Sequence, residues 1–81
     1  MDDEQIIDDI GDLVEEERAL RGEALRQGGL DAGQRARLRE LEIRLDQCWD
    51  LLRRRRAASE FGGDPDTARV QPADEVEGYE S

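Results

Sequence analysis

An all-α fold, an antiparallel two-helix hairpin of coiled-coil type with an irregular acidic C-terminal tail, is predicted by three features of the 81-residue chain. Apolar residues recur at alternating three- and four-residue steps in two long segments, the spacing that lays one stripe along a helix. A Gly-Gly-Leu-Asp interruption at positions 28–31 separates the two segments. After Glu60 the periodicity ends, and both prolines and a second Gly pair appear.

The first helix is expected over residues 3–27. Ile6, Ile10, Leu13, Leu20 and Ala24 form its seam, with Glu17 at a position an apolar residue would ordinarily fill. From Asp2 to Glu17 the chain carries nine acids and no base, a composition favoured near a helix N-terminus by the macrodipole. Gly11 and Gly22 each weaken the helix by about 1 kcal/mol relative to alanine, so it depends on packing. Gly28 and Gly29 stop it. With Gly29 in the left-handed C′ position, Leu25 and Leu30 become the apolar pair of a Schellman cap. Asp31 then reads as an N-cap with Gln34 as its capping-box partner. A turn this short makes the helices antiparallel neighbours.

The second helix, 32–60, carries Leu38, Leu41, Leu45, Cys48, Trp49 and Leu52 within about 60° of one line. Its second half, LDQCWDLLRRRRA, holds the only tryptophan, the only cysteine and the densest arginine block of the chain. Setting seam against seam opposes Leu20 with Leu38, Glu17 with Leu41, Leu13 with Leu45, Ile10 with Cys48, Ile6 with Leu52 and Asp3 with Arg55. That register lays the acidic start of the first helix beside Arg53, Arg54, Arg55 and Arg56, cations that the end of the second helix also favours. The block then needs no outside partner. Glu17 is expected to bend toward Arg37 or Arg44, or to serve as a register-setting buried charge. The tail, 61–81, is read as irregular or partly disordered, with Phe61, Val70, Val76 and Tyr79 spaced to fold back along the hairpin.

With 42% charged residues and one each of Phe, Tyr and Trp, the chain has little material for a core, and a bare hairpin leaves its faces open. Ile7, Val14 and Leu25 lie off the first seam, while Leu51 and the edge of Trp49 flank the second. Two copies meeting on these flanks make a four-helix bundle, a homodimer with two-fold symmetry. Docking of the tail on the same flank is the competing solution.

A net charge of −10 repels polyanions, so nucleic acid is not the expected partner. No apolar run approaches the roughly 20 residues that span a bilayer, which excludes a membrane helix. The MDDEQ start is acidic where a secretory signal is basic, and one unpaired cysteine suits a reducing compartment. The expected location is the cytoplasm. The absence of histidine removes the usual general base and the commonest metal ligand, and Cys48 on the apolar stripe reads as a small core residue. The Gly pairs lack the Lys and Ser/Thr of a phosphate loop. Asp64, Asp66 and Glu75 mimic the spacing of an EF-hand loop, but Arg69 stands where its obligatory glycine belongs. No catalytic residue, cofactor or metal is therefore expected. The leading expectation is a non-enzymatic protein–protein interaction or scaffold module that self-associates, with Ile7, Val14, Glu17, Trp49 and Leu51 as contact candidates. The alternative is a small regulator that touches the transcription machinery or nucleic acid through Arg53, Arg54, Arg55 and Arg56.

LDQCWDLLRRRRA followed by GGDPDTARV and then VEGYES resembles the small actinobacterial proteins grouped as domain of unknown function (DUF) 2630. The resemblance covers nearly the whole chain and implies a short helical hairpin without an assigned activity. Asp31, Ala32 and Gly33 depart from the Ser-Pro-Glu-type cap of that pattern, and Gly33 weakens the first turn of the second helix.

Overall fold

Two capping boxes set where the helices begin in the computed structural model, which describes residues 2–73 and 76. Helix α1 runs Asp3–Gln27. The Asp2 carboxylate accepts from the Gln5 N–H at 2.9 Å, and Gln5 Oε1 accepts in return from the Asp2 N–H at 2.9 Å. Helix α2 runs Ala32–Glu60 behind the same device, with Asp31 and Gln34 exchanging bonds of 2.8 and 3.0 Å. Each box satisfies two backbone donors that a helix start otherwise leaves orphaned. Gly33 does not delay the second start.

Both helices end in a Gly-Gly Schellman turn. Gly28, at φ 83°, takes the left-handed position, and the Gly29 N–H donates to the Ala24 carbonyl at 2.8 Å. The cap lies one residue earlier than expected at Gly29, and so the Leu25–Leu30 pair does not close it: Leu25 is 86% exposed. At the far end Gly62 sits at φ 77° and the Gly63 N–H reaches the Ala58 carbonyl at 2.7 Å. Residues with a Cβ rarely adopt this conformation, which is why glycine occupies it.

The core gathers toward the end of the hairpin remote from the 28–31 turn. Ile6, Ile10, Leu51 and Leu52 are buried together, with Val14, Leu45, Cys48 and Ala68 packed against them. Leu41 is fully buried on the same seam, while Leu20 and Leu38, nearer the turn, are half-buried. Arg55 Nε donates to Asp3 Oδ1 at 2.7 Å across the two helices, the opposition that the seam register predicts.

The tail was expected to be irregular or partly disordered; its described part forms a strap across the back of α2. The Asp64 carboxylate caps a 3₁₀ turn at Pro65–Thr67 by accepting from the Asp66 N–H at 2.9 Å. Ala68 then packs on the core, and Val76 is 4% exposed. Of the apolar tail residues, these two dock, and Phe61 and Val70 do not bury. Phe61 is 88% exposed and Val70 55%, and Tyr79 lies outside the described residues.

Candidate interaction face

The four arginines have four different surroundings, because consecutive residues on a helix point about 100° apart. Arg55 faces the strap and is buried, 6% exposed. Its guanidinium donates to Asp3, to Asp66 Oδ1 at 3.0 Å and to the Pro65 carbonyl at 3.2 Å. The Asp3 carboxylate, and after it that of Asp66, hold its pKa above the ordinary arginine value. Arg54 donates to the buried Asp50 carboxylate at 3.0 Å and to the Arg69 carbonyl. Both side chains therefore fasten the strap to the hairpin, so of the four arginines named for the alternative contact two are engaged within the chain. Arg53 and Arg56 point to solvent.

Leu51 is a second correction. Expected on an open flank, it is 4% exposed because Ala68 lies against the core there. The strap continues past Gln47, whose amide donates to the Gln71 carbonyl at 3.3 Å. It brings Val76 to an open groove of about 490 Å³ lined also by Asp46, Trp49, Asp50 and Arg53. Cys48 packs beside the core as expected. Burial, and then the Asp9 carboxylate, push its thiol above the usual value, so it stays protonated and weakly nucleophilic.

Glu17 does not reach Arg37 or Arg44. Its carboxylate lies 3.7 Å from Arg21 one turn along the same helix. The neighbouring Glu16 takes Arg37 instead, accepting from Nη2 at 2.8 Å and from Nε, and the Arg37 guanidinium holds the Glu16 carboxyl below its ordinary 4.5. Arg44 pairs with Glu40 at 2.8 Å. Glu16 looks toward Arg37 from the edge of the seam, whereas Glu17 points between the helices, where leaning back on Arg21 keeps it hydrated. One residue of helical phase decides the matter.

The face opposite the Glu16–Arg37 pair carries the remaining apolar candidates. On α1, Ile7, Val14 and Arg21 follow one another at seven-residue steps, and on α2 Glu42, Trp49 and Arg56 do the same. Seven residues return a helix to within about 20° of its starting direction, so each trio is a line. Arg21 Nη2 and Glu42 Oε1 lie 3.7 Å apart, which places both lines on one face of the hairpin. In the register set by Asp3 opposite Arg55, Trp49 comes level with the stretch of α1 between Ile7 and Val14, and Arg56 lies beside Asp2 and Asp3 at the start of α1. Ile7 is 48% and Trp49 47% exposed, and Val14 is half-buried against the core. The described part of the strap reaches the outer edge of this face, with Val76 beside Trp49. The heptad spacing of both trios is visible in the sequence. What sequence reasoning missed is that Asp50 and Ala68 belong to the strap side; the Asp-Pro-Asp-Thr string, a cap followed by Pro at the first turn position, is the signal that marks where the strap begins.

Among the described residues no group of His, Cys, Asp or Glu is gathered to hold a metal ion, and no helix is long and apolar enough to cross a membrane. Asp64 and Asp66 serve the turn cap and Arg55 respectively. Comparison with known proteins gives a match over residues 2–81 to the family described as protein of unknown function (DUF2630). The uncharacterized proteins Mb0922c of Mycobacterium bovis and Rv0898c of Mycobacterium tuberculosis are each 55% identical over 78 residues, covering 95% of this chain and 88% of the relative. No solved structure matches the chain.

Proposed function

The chain belongs to the DUF2630 family of proteins of unknown function, and from that premise we propose that it is a non-enzymatic protein–protein interaction module of the cytoplasm that self-associates. The observation that carries this reading is the Ile7–Val14–Trp49 face, which keeps a tryptophan and an isoleucine half in water although the strap has covered the opposite side of α2. A half-exposed Trp flanked by aliphatic groups and rimmed by charge has the composition of an interface centre. The lack of histidine and the protonated state of Cys48 support a role without catalysis. The internal engagement of Arg54 and Arg55 supports a protein partner over nucleic acid.

Light scattering across a concentration series tests the reading. The full chain should have the mass of a dimer, and Trp49→Ala should weaken association by roughly tenfold or more, since aromatic anchors dominate buried contacts. A Trp49→Ala variant that keeps the wild-type mass at every concentration removes this face from the account.

A further inference from the structure

A second groove, of about 420 Å³, is lined by both helices and the strap. Seven-residue steps lead from Glu16 to Asp9 and from Arg37 to Arg44, so the groove continues the side of the hairpin that carries the Glu16–Arg37 pair. Its floor is apolar, with Ile6 and Leu13 from α1 and Cys48 and Leu51 from α2. Leu13 and Cys48 are only half-buried, and Val70 of the strap adds an apolar edge that is 55% exposed. That edge is fixed from both sides: Arg54 donates to the Arg69 carbonyl and Gln47 to the Gln71 carbonyl.

The α1 rim of the groove is acidic. Asp9, Asp12 and Glu16 follow one line at three- and four-residue steps, a spacing that keeps side chains together on a helix. Arg37 neutralises Glu16. Asp9 and Asp12 have no ion-pair partner among the described residues, because Arg44, the base nearest them in the lining, is turned to Glu40 at 2.8 Å. An apolar floor beside two uncompensated carboxylates is complementary to a helix with aliphatic residues on one side and cations at its margin. We propose that this groove binds a basic amphipathic helix of a protein partner, whose aliphatic side chains lie over Leu13, Cys48 and Val70 and whose ammonium or guanidinium groups meet Asp9 and Asp12. From Arg44 to Leu51 the α2 side of the groove runs about 10 Å at 1.5 Å per residue, two turns of such a helix. The net charge of −10 steers a cationic segment toward the chain and turns polyanions away. The site is separate from the Ile7–Val14–Trp49 face, so the proposal goes beyond self-association and does not depend on it.

The probe is a labelled synthetic Leu/Lys amphipathic helix of about four turns, titrated with the full chain and followed by fluorescence anisotropy. A Leu/Glu helix of the same pattern is the reference, and it should not bind. Asp9→Asn/Asp12→Asn should weaken binding of the Leu/Lys helix by roughly tenfold or more, as loss of facing charges does. Glu4→Gln/Asp8→Asn removes the same charge from exposed positions outside the groove and should change the dissociation constant by less than about threefold. Val70→Asp adds an acid while removing the apolar edge, and it should weaken binding by about threefold or more. Circular dichroism checks that each variant keeps its helices, as expected for exposed positions. Equal losses from the two double variants, or tighter binding by Val70→Asp, would mean attraction by net charge alone and overturn the groove. A wild-type chain that does not bind the Leu/Lys helix overturns it as well. Light scattering reads self-association separately: a dimer that fails to bind the helix sinks this proposal alone, and a monomer that binds it through Asp9 and Asp12 sinks only self-association.

Discussion

Arg55 sits where α1, α2 and the strap meet, and from α2 its guanidinium bonds both α1 and the strap. Arg53, two positions earlier, faces water. Removing Arg55 takes away one of the two donors to the Pro65 carbonyl and unties Asp66 from the hairpin, while Asp3 and Asp66, themselves 45% and 72% exposed as side chains, fall back on water. Arg55→Met should therefore lower the thermal midpoint by several degrees and increase hydrogen exchange at the Ala68 amide, which bonds the Pro65 carbonyl at 3.1 Å. Arg53→Met should leave both unchanged within error, as surface substitutions usually do. Equal effects from the two variants would show that the network adds nothing beyond surface charge. The opposition of Asp3 to Arg55 was legible from seam pairing. The third member, Asp66, was not, because no periodicity connects the tail to the helices.

At the scale of the elements, local chemistry is nearly sufficient. Capping boxes, Gly-Gly stops and three-four apolar spacing act over a turn or two of chain, and each forms here. The glycines separate into two kinds. Gly11 lies within α1 with nothing inside 4 Å of an added Cβ, so Gly11→Ala should stabilise by about 1 kcal/mol. Gly28 is at φ 83°, where a Cβ costs about 1–2 kcal/mol whatever the space, so Gly28→Ala should destabilise by that amount. Denaturant unfolding followed by circular dichroism gives both numbers, and the same sign at both sites would contradict the cap assignment. The placement of the left-handed residue at Gly28 rather than Gly29 shows where local reasoning reaches its limit. Either glycine satisfies the turn chemistry, and the stop falls where Gln27 can still donate to the Gly29 carbonyl and to Gln34 across the turn.

The whole molecule extends 51 × 27 × 14 Å, a single layer of two helices with a strap on one side. Stable domains bury their apolar faces between layers, and here the described part of the tail covers one side of α2. A chain ending at Phe61 loses Ala68, Val76 and Asp66 together. Val76 alone is worth about 2 kcal/mol as a buried side chain, so the shortened chain should unfold at a markedly lower denaturant concentration. Trp49 fluorescence should shift to the red as the groove beside it opens. An unchanged midpoint and emission would mean that the strap contributes no stability.

The sequence by itself determined the two helices, the Asp31–Gln34 cap, the antiparallel register and the family, because each is written in residue types repeated at helical spacing or in bonds between near neighbours. It also determined which lines of residues could be contact surfaces. Only the tertiary structure decided which line stays open. Leu51 and Trp49 are both large, apolar and flanking the seam, and nothing within α2 distinguishes them. The distinction comes from the Gly62–Gly63 turn and the Asp64 cap, which aim the tail at the Arg55 side of α2 and pack Ala68 on the cluster that contains Leu51. That choice depends on contacts between residues distant in the chain, where energies are small and periodicity gives no signal. It leaves Ile7 and Trp49 half exposed.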